Sequence, residues 1–353
     1  MVKIGFYDPY LDSLGGGERY ILTLAQDLSQ NNLVDIFWGN QDIKDGVKKI
    51  LGLNIDKTRL VENIFTRKKN LLEKLSITSK YDLIFFLSDG SIPSTLAKKN
   101  ILHFQIPFNH LKTNTIINKI KLFRFNKIIC NSLFTKKFID ITYGVDSLVI
   151  YPPVNTINYP ELSKKNLILN VGRFTSYHEC KKQQVMIDIF KTMVDQGLKK
   201  WDFYLAGGLL DADKPYFQKL KEQINGYPIK LFPNIPLTDL RSLYSQARIY
   251  WHANGFGEDE QVNPELFEHF GISAVEAMAA GAVPFLYDGG GHKEIINKEC
   301  GFLWRNKEEL IVQTNSVLYD DSILLKYSIE ARKRAQDFSC ETFLRRMNET
   351  IFN

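Results

Sequence analysis

Glu268-His269-Phe270-Gly271-Ile272-Ser273-Ala274-Val275-Glu276-Ala277-Met278-Ala279-Ala280-Gly281 sets two carboxylates eight positions apart, one on each side of a Phe-Gly-Ile-Ser turn. The segment after Ser273 is rich in alanine and has strong helix propensity. A helix that starts at this turn leaves its first backbone N–H groups unpaired between two acceptors. Such a place can hold a phosphate or a polyhydroxyl ligand from several sides.

Working outward, the chain alternates short apolar runs with amphipathic ones. Val2–Tyr7 reads as a strand, followed by the loop Leu11-Asp12-Ser13-Leu14-Gly15-Gly16-Gly17 and a helix from about Glu18 to Gln30 with Tyr20, Ile21, Leu24, Ala25 and Leu28 on one face. Leu33–Trp38, Leu83–Leu87, Ile101–Gln105, Lys127–Cys130 and Leu148–Tyr151 read as further strands, the last stopped by Pro152-Pro153. The pattern restarts after Asn155. Asn166–Val171, Trp201–Leu205, Ile249–Trp251 and Val283–Leu286 read as strands; Gln184–Met193, Leu237–Ala247, Ser273–Ala280 and the chain from about Asp321 read as helices. Alternation of this kind predicts an α/β fold of two doubly wound, Rossmann-like units. The expected domains are 1–155 and 156–337, with a terminal helix at about 338–353 returning to the first. Ligands of such sheets lie beyond the carboxyl ends of the strands, and two facing units leave a cleft.

Composition narrows the classes. A chain of 353 residues, 44% hydrophobic and 24% charged, is that of an ordinary globular protein of about two domains. The net charge of +5 is unevenly spread. Between Arg67 and Asp140 stand 14 Lys/Arg and 4 Asp/Glu, so the rest of the chain is acidic on balance. A basic region favours anionic lipid heads or phosphorylated acceptors, or it is simply a solvated face. Phe108–Lys127 carries Lys112, Lys119, Lys121, Arg124 and Lys127 among apolar residues and suits a helix lying in a membrane interface. Cys130, Cys180, Cys300 and Cys340 are scattered, which argues against a metal site or a disulfide framework. The start Met1-Val2-Lys3-Ile4 reads as strand rather than signal peptide, and no apolar run is long enough to span a bilayer. The expected location is the cytoplasm, with at most peripheral membrane contact on the cytoplasmic face.

Three motifs can carry chemistry. Gly15-Gly16-Gly17 follows the first strand and opens a helix, which would let backbone adopt positive φ and approach a phosphate. It lacks the Lys-Ser/Thr of a P-loop and the Gly-x-Gly-x-x-Gly of dinucleotide folds. Arg173 ends a strand in Val171-Gly172-Arg173-Phe174, with Lys181 and Lys182 before the next helix; such cations suit a diphosphate leaving group. Glu268 and Glu276 also admit a glycosidase acid pair, but the glycine-rich and cationic neighbours favour a nucleotide-sugar donor. Asp211-Ala212-Asp213 reads as a helix start, not a metal motif. His103, ending a strand, is either structural or a site residue.

With these residues in hand, the chain resembles the retaining family 4 glycosyltransferases of the GT-B fold over nearly its whole length. The shared landmarks are Gly15-Gly16-Gly17-Glu18-Arg19, His103, Cys130-Asn131-Ser132-Leu133-Phe134-Thr135, Tyr151-Pro152-Pro153-Val154, Val171-Gly172-Arg173-Phe174 with Lys181, Leu205-Ala206-Gly207-Gly208 and the Glu268–Gly281 block. Within the family, Glu-His-Phe-Gly-Ile-Ser and Gly-Gly-Gly-Glu-Arg are most similar to mannosyltransferases that extend lipid-linked oligosaccharides. The resemblance implies hexose transfer from a nucleoside diphosphate sugar, GDP-mannose as the guess, to a glycan or lipid-linked acceptor, with retention and without metal or cofactor. It implies that Arg173 and Lys181 neutralise the diphosphate, that Gly16 and Gly17 (with Gly15) pack on phosphate, and that Glu268 holds the sugar. Glu276 would bind ribose. His269, Phe270, Gly271, Ile272 and Ser273 would line the donor, mostly through backbone amides, and His103 the acceptor side. Base selectivity is expected near Asn234 and Gly207-Gly208. The loop Thr175–Cys180 is longer than the family's turn, which leaves Lys181 or Lys182 as the diphosphate contact. A nucleotide-sugar epimerase and a non-catalytic nucleotide-sugar-binding protein are the rival classes. Nucleic acid is not an expected partner.

Overall fold

The computed structural model describes residues 1–66, 69–109, 115–176 and 181–352. The chain divides into two compact units, Met1–Pro153 with Cys340–Asn353, and Val154–Ser339.

The first unit is built on β1 (Lys3–Tyr7), β2 (Leu33–Phe37), β3 (Arg59–Val61), β4 (Leu83–Leu87), β5 (Lys99–Phe104), β6 (Lys127–Cys130) and β7 (Leu148–Val149). They form one sheet in the order β3-β2-β1-β4-β5-β6-β7. Every pairing is parallel. The all-buried run Leu-Ile-Phe-Phe-Leu of β4 shows why: a strand covered by helices on both faces has no polar side to alternate with. The terminal helix Cys340–Phe352 belongs to this unit, and it buries Phe343, Met347 and Ile351 in the same core as Ile4, Tyr20 and Phe85.

The second unit holds β8 (Lys165–Val171), β9 (Asp202–Gly207), β10 (Ile229–Pro233), β11 (Ala247–His252), β12 (Val283–Tyr287) and β13 (Phe302–Trp304) in the order β10-β9-β8-β11-β12-β13. This sheet is also wholly parallel. Its order reverses between β8 and β11, the place where a doubly wound sheet opens a crevice. Phe190, Phe203 and Trp251 pack together in its core. The short β3 and β13 and the strand β10 escape a reading by pattern, because three-residue edge strands and a half-buried edge strand without alternation carry little periodic signal.

Two expectations need correction. The segment 108–127 is not one helix: the helix spans Ile116–Leu122, capped by the Thr115 side chain on the Asn118 N–H, and Lys127 begins β6. Lys112 lies outside the described residues, as do Arg67, Lys68 and Cys180. The glycines of the loop do not use positive φ; Leu14, at φ 45°, does. Gly15 is extended at φ −97°, and Gly16 and Gly17 already belong to the helix Gly16–Leu28. Gly17 answers to packing instead, since a Cβ there would meet the Gln105 side chain, whose amide donates to the Gly17 carbonyl at 3.1 Å.

Candidate functional site

The carboxyl ends of β8, β11 and β12 gather the charged groups of the second unit. The helix Ile272–Ala279 starts beside them, with Gly271 at φ +115° as its N-cap, a conformation that an L side chain rarely adopts. Gly271 accepts the first helical bonds, from the Ala274 and Val275 N–H groups, and none is made among the described residues by the N–H groups of Ile272 and Ser273. These open donors make the helix start an anion-binding end. The side chains nearby are otherwise engaged. Phe270 is buried against Phe338, Ser273 accepts from the Tyr250 hydroxyl at 2.8 Å, and Glu276 accepts from the Tyr244 hydroxyl at 3.2 Å. The His269 ring lies 3.3 Å from the Glu265 carbonyl.

Glu268 is the centre of the cluster. Its Oε2 accepts from Lys181 Nζ at 2.8 Å and Asn254 Nδ2 at 3.3 Å, and lies 3.4 Å from His252 Nε2. Its Oε1 accepts no hydrogen bond among the described residues. Burial would raise this carboxyl, but the Lys181 ammonium, which faces it and donates to it, holds it well below the usual carboxylate range. The loop carrying it is pinned by close backbone approach: the Gly291 N–H donates to the Glu268 carbonyl at 2.7 Å, and a Cβ on Gly291 would strike the His269 carbonyl at 2.5 Å. His252, Glu268 and His292 offer ligand atoms within 4.8 Å of one another, a set that could take a divalent ion. The Lys181 ammonium already on that carboxylate competes with any such ion.

The lysines are thereby told apart. Lys182, in the left-handed region at φ 55°, pairs with Glu258 at 2.6 Å, whereas Lys181 pairs with Glu268. Residues 177–180 of the long preceding loop lie outside the described residues. Arg173 is exposed at the end of β8, next to Gly207 and Gly208. Asn234 spends its side-chain amide on the backbone of Leu209, accepting at 2.8 Å and donating at 2.9 Å. That is a turn-holding role, which leaves base selectivity at this residue without a free side chain.

The first unit holds Gly15, Gly16, Gly17 and His103. His103 is not on a surface: it is fully buried, stacked on Tyr20 at 3.9 Å, with Nδ1 against the Ile129 carbonyl. Burial pushes it down to about 3, so it is a neutral core residue and not an acid or base of the site. Beside the glycine loop, burial pushes the Asp8 carboxyl up to about 8, with the Glu18 carboxylate adding to it, and Glu18 itself accepts from the Gly15 N–H at 2.5 Å. Sequence reading missed Asp8 and, in the second unit, His252, Asn254, Glu258 and His292. A signal was present, since His252 ends β11 and His292 follows the glycines after β12, both at carboxyl ends of strands.

Two parallel Rossmann-like units, the second with a cationic, amide-lined site where its strand order reverses, define a GT-B glycosyltransferase. Residues 157–334 match the family described as "Glycosyl transferases group 1". The chain belongs to that family. Among curated proteins it is similar to a "GDP-Man:Man(3)GlcNAc(2)-PP-Dol alpha-1,2-mannosyltransferase" of Dictyostelium discoideum, 27% identical over 55% of this chain and 39% of that protein. The chain thus spans well under half the length of that relative in the match. The Xenopus laevis protein of the same name is 22% identical over 85% of this chain and 76% of its own. Among solved structures, Anabaena HepE in complex with UDP-glucose superposes with a TM-score of 0.73 over 99% of both chains at 19% identity, a likeness of fold.

Proposed function

We propose that this glycosyltransferase moves a hexose, mannose from GDP-mannose, onto a glycan or lipid-linked acceptor with retention of configuration. The observation that carries the reading is the arrangement at Glu268: a carboxylate held by one oxygen, a lysine ammonium on it, and an open helix N-terminus alongside. In this reading the leaving diphosphate is met by Lys181, Arg173 and the N–H groups of Ile272 and Ser273, which stabilise the oxyanion as the glycosidic bond breaks. Glu268 orients the sugar through its hydroxyls, and Glu276 takes the ribose. With Glu268 placed on the sugar hydroxyls and not on the reacting carbon, the acceptor hydroxyl attacks the same face in this reading and gives its proton to a phosphate oxygen. The choice of mannose leans on the relatives' names, and no cofactor or metal is assigned a part.

The test is turnover of GDP-mannose, UDP-glucose and ADP-glucose at equal concentration, in EDTA, followed by release of the nucleoside diphosphate. Selective consumption of GDP-mannose supports the proposal. Consumption of another donor alone would reassign it, and conversion of the sugar without release of nucleotide would favour an epimerase.

A peripheral membrane partner is a second element of the proposal, carried by a different observation. On and just after the helix Ile116–Leu122, Ile116, Ile117 and Ile120 are exposed and Phe123 is 92% exposed, interleaved with Lys119, Lys121 and Arg124. Apolar side chains among cations suit the interface of an anionic bilayer. Co-sedimentation with phosphatidylglycerol vesicles but not with phosphatidylcholine vesicles, lost in Phe123→Asp, is the expected result; equal behaviour on both would remove this element. No described helix is long and apolar enough to cross a membrane.

A further inference from the structure

Glu268 is held asymmetrically, and the groups that hold it are more than the lysine. Behind its Oε2 lie two imidazoles, His252 and His292, both fully buried, with ring centroids 4.8 Å apart in an edge-to-face arrangement. Their hydrogen positions follow from their partners. His292 Nδ1 lies 3.0 Å from the Tyr287 carbonyl, which can only accept, so Nδ1 carries the hydrogen and Nε2 is bare. The Asn254 backbone N–H points to His252 Nδ1 at 3.4 Å, so Nδ1 is the acceptor and Nε2 carries the hydrogen, 3.4 Å from Glu268 Oε2. That contact is long and imperfectly aligned, and neither Nε2 completes a hydrogen bond as it stands. A buried polar atom left open is costly, so a buried pair of them beside a carboxylate asks for a function.

We infer that His252 and His292 are positioning residues for Glu268: His252 holds Oε2 through its Nε2–H, His292 fixes the plane of the His252 ring, and Oε1 is thereby turned to a hydroxyl of the transferred sugar. The inference rests on the proposed role of Glu268 in sugar binding. The charged groups facing the pair are Glu268 and the Lys181 ammonium. Burial keeps both rings neutral, pushing His292 down to about 4 and His252 well below its ordinary value. Neutral rings suit this role, since an imidazolium would bind the carboxylate more tightly but would add charge next to Lys181. The N–H···Oε2 contact would shorten once the diphosphate draws Lys181 off the carboxylate, when His252 and Asn254 become the donors left on Oε2.

The experiment compares His252→Leu, His252→Gln and His292→Leu with the wild-type chain. Gln keeps an N–H near the place of Nε2. Turnover of the nucleotide sugar is expected to fall by about tenfold or more in His252→Leu and His292→Leu, and His252→Gln to recover most of it. Binding of the bare nucleoside diphosphate should stay within about twofold throughout, because that ligand has no sugar for Glu268 to hold. Unchanged turnover in His252→Leu would overturn the inference. So would a loss of nucleoside diphosphate binding as large as the loss of turnover, the mark of a merely structural role. A wild-type chain that consumes no nucleotide sugar would speak against the proposed function instead. The pair is then read by the 15N shifts of the ring nitrogens between about pH 6 and 8, assigned through the two variants. Neutral rings with hydrogen on Nε2 of His252 and on Nδ1 of His292 support the arrangement, and the opposite tautomer at His252 overturns it.

Discussion

Gly207→Ala is the substitution whose cost can be worked most directly from the coordinates. Gly207 ends β9, and a Cβ built on it would lie 2.0 Å from the Gly172 carbonyl oxygen and 2.6 Å from its carbon. An unstrained carbon-to-oxygen approach is about 3.3 Å, so the backbone of Gly172 must retreat by roughly 1.3 Å. Backbone is not a flexible side-chain end that can swing away. That retreat pulls on the bonds that zip the strand ends together, Gly172 N–H to the Ala206 carbonyl at 2.9 Å and Phe174 N–H to the Gly208 carbonyl at 2.8 Å. Two bonds at about 1 kcal/mol each, with about 1–3 kcal/mol of overpacking strain, give a destabilisation of about 3–5 kcal/mol. In a chain of this size the melting midpoint should drop on the order of 10 °C. The same movement displaces Arg173, so turnover should fall by about a hundredfold in whatever variant remains folded. Differential scanning fluorimetry and a donor-turnover assay read both. Gly208→Ala is the control, since its Cβ would meet only the Arg173 side chain at an ordinary 3.6 Å. A Gly207→Ala protein that melts and turns over like Gly208→Ala would refute the reasoning.

Three further outcomes are expected. Phe343→Ala, which removes a buried ring packed edge-on against Tyr20 at 4.7 Å, should cost about 3–5 kcal/mol by denaturant unfolding and show that the terminal helix is part of the first unit's core. Lys181→Met should lower donor turnover and also weaken resistance to acid. Glu268 titrates below its unfolded value in the native chain, so its contribution is full above about pH 4.3 and is lost as pH falls through the lower native value; removing Lys181 should move that loss to higher pH in an acid-unfolding titration. His103 and Asp8 should give opposite pH slopes. Native His103 titrates at about 3 against about 6.5 unfolded, so its contribution is lost as pH falls from about 6.5 toward 3, and His103→Gln should remove about 1.4 kcal/mol per pH unit of that slope. Native Asp8 titrates at about 8 against about 3.9 unfolded, so stability falls as pH rises between them, and Asp8→Asn should gain on the wild type by up to about 1.4 kcal/mol per pH unit. Unfolding free energies that run parallel to wild type across both windows would contradict these assignments.

Local order decided much of this protein. A short apolar run such as Leu83–Leu87, in a chain alternating strands with helices, reads as a strand covered on both faces, and the alanine-rich stretch after Gly271 reads as a helix whose first N–H groups are open. Both are properties of neighbours in the chain, so residue order suffices to read them. Glu268 and the helix start beside it were placed together by their motif for the same reason, whereas the sequence left Lys181 and Lys182 open and only the fold sets Lys181 on Glu268. His103 was not legible, because a histidine ending a strand looks alike whether its neighbours bury or expose it; only the stacking of Tyr20, 83 positions away along the chain, makes it a core residue. The interfacial-helix reading of 108–127 failed because it overran the strand read at Lys127–Cys130, which pairs with β5 from Lys127 onward. The surroundings of Glu268 are the plainest case. His252 ends β11, His292 follows β12 and Lys181 follows β8, and these are neighbours only because the sheet runs β8-β11-β12. Pairing of strands remote in sequence, not the residues near the glutamate, chose the groups that set its charge and its orientation.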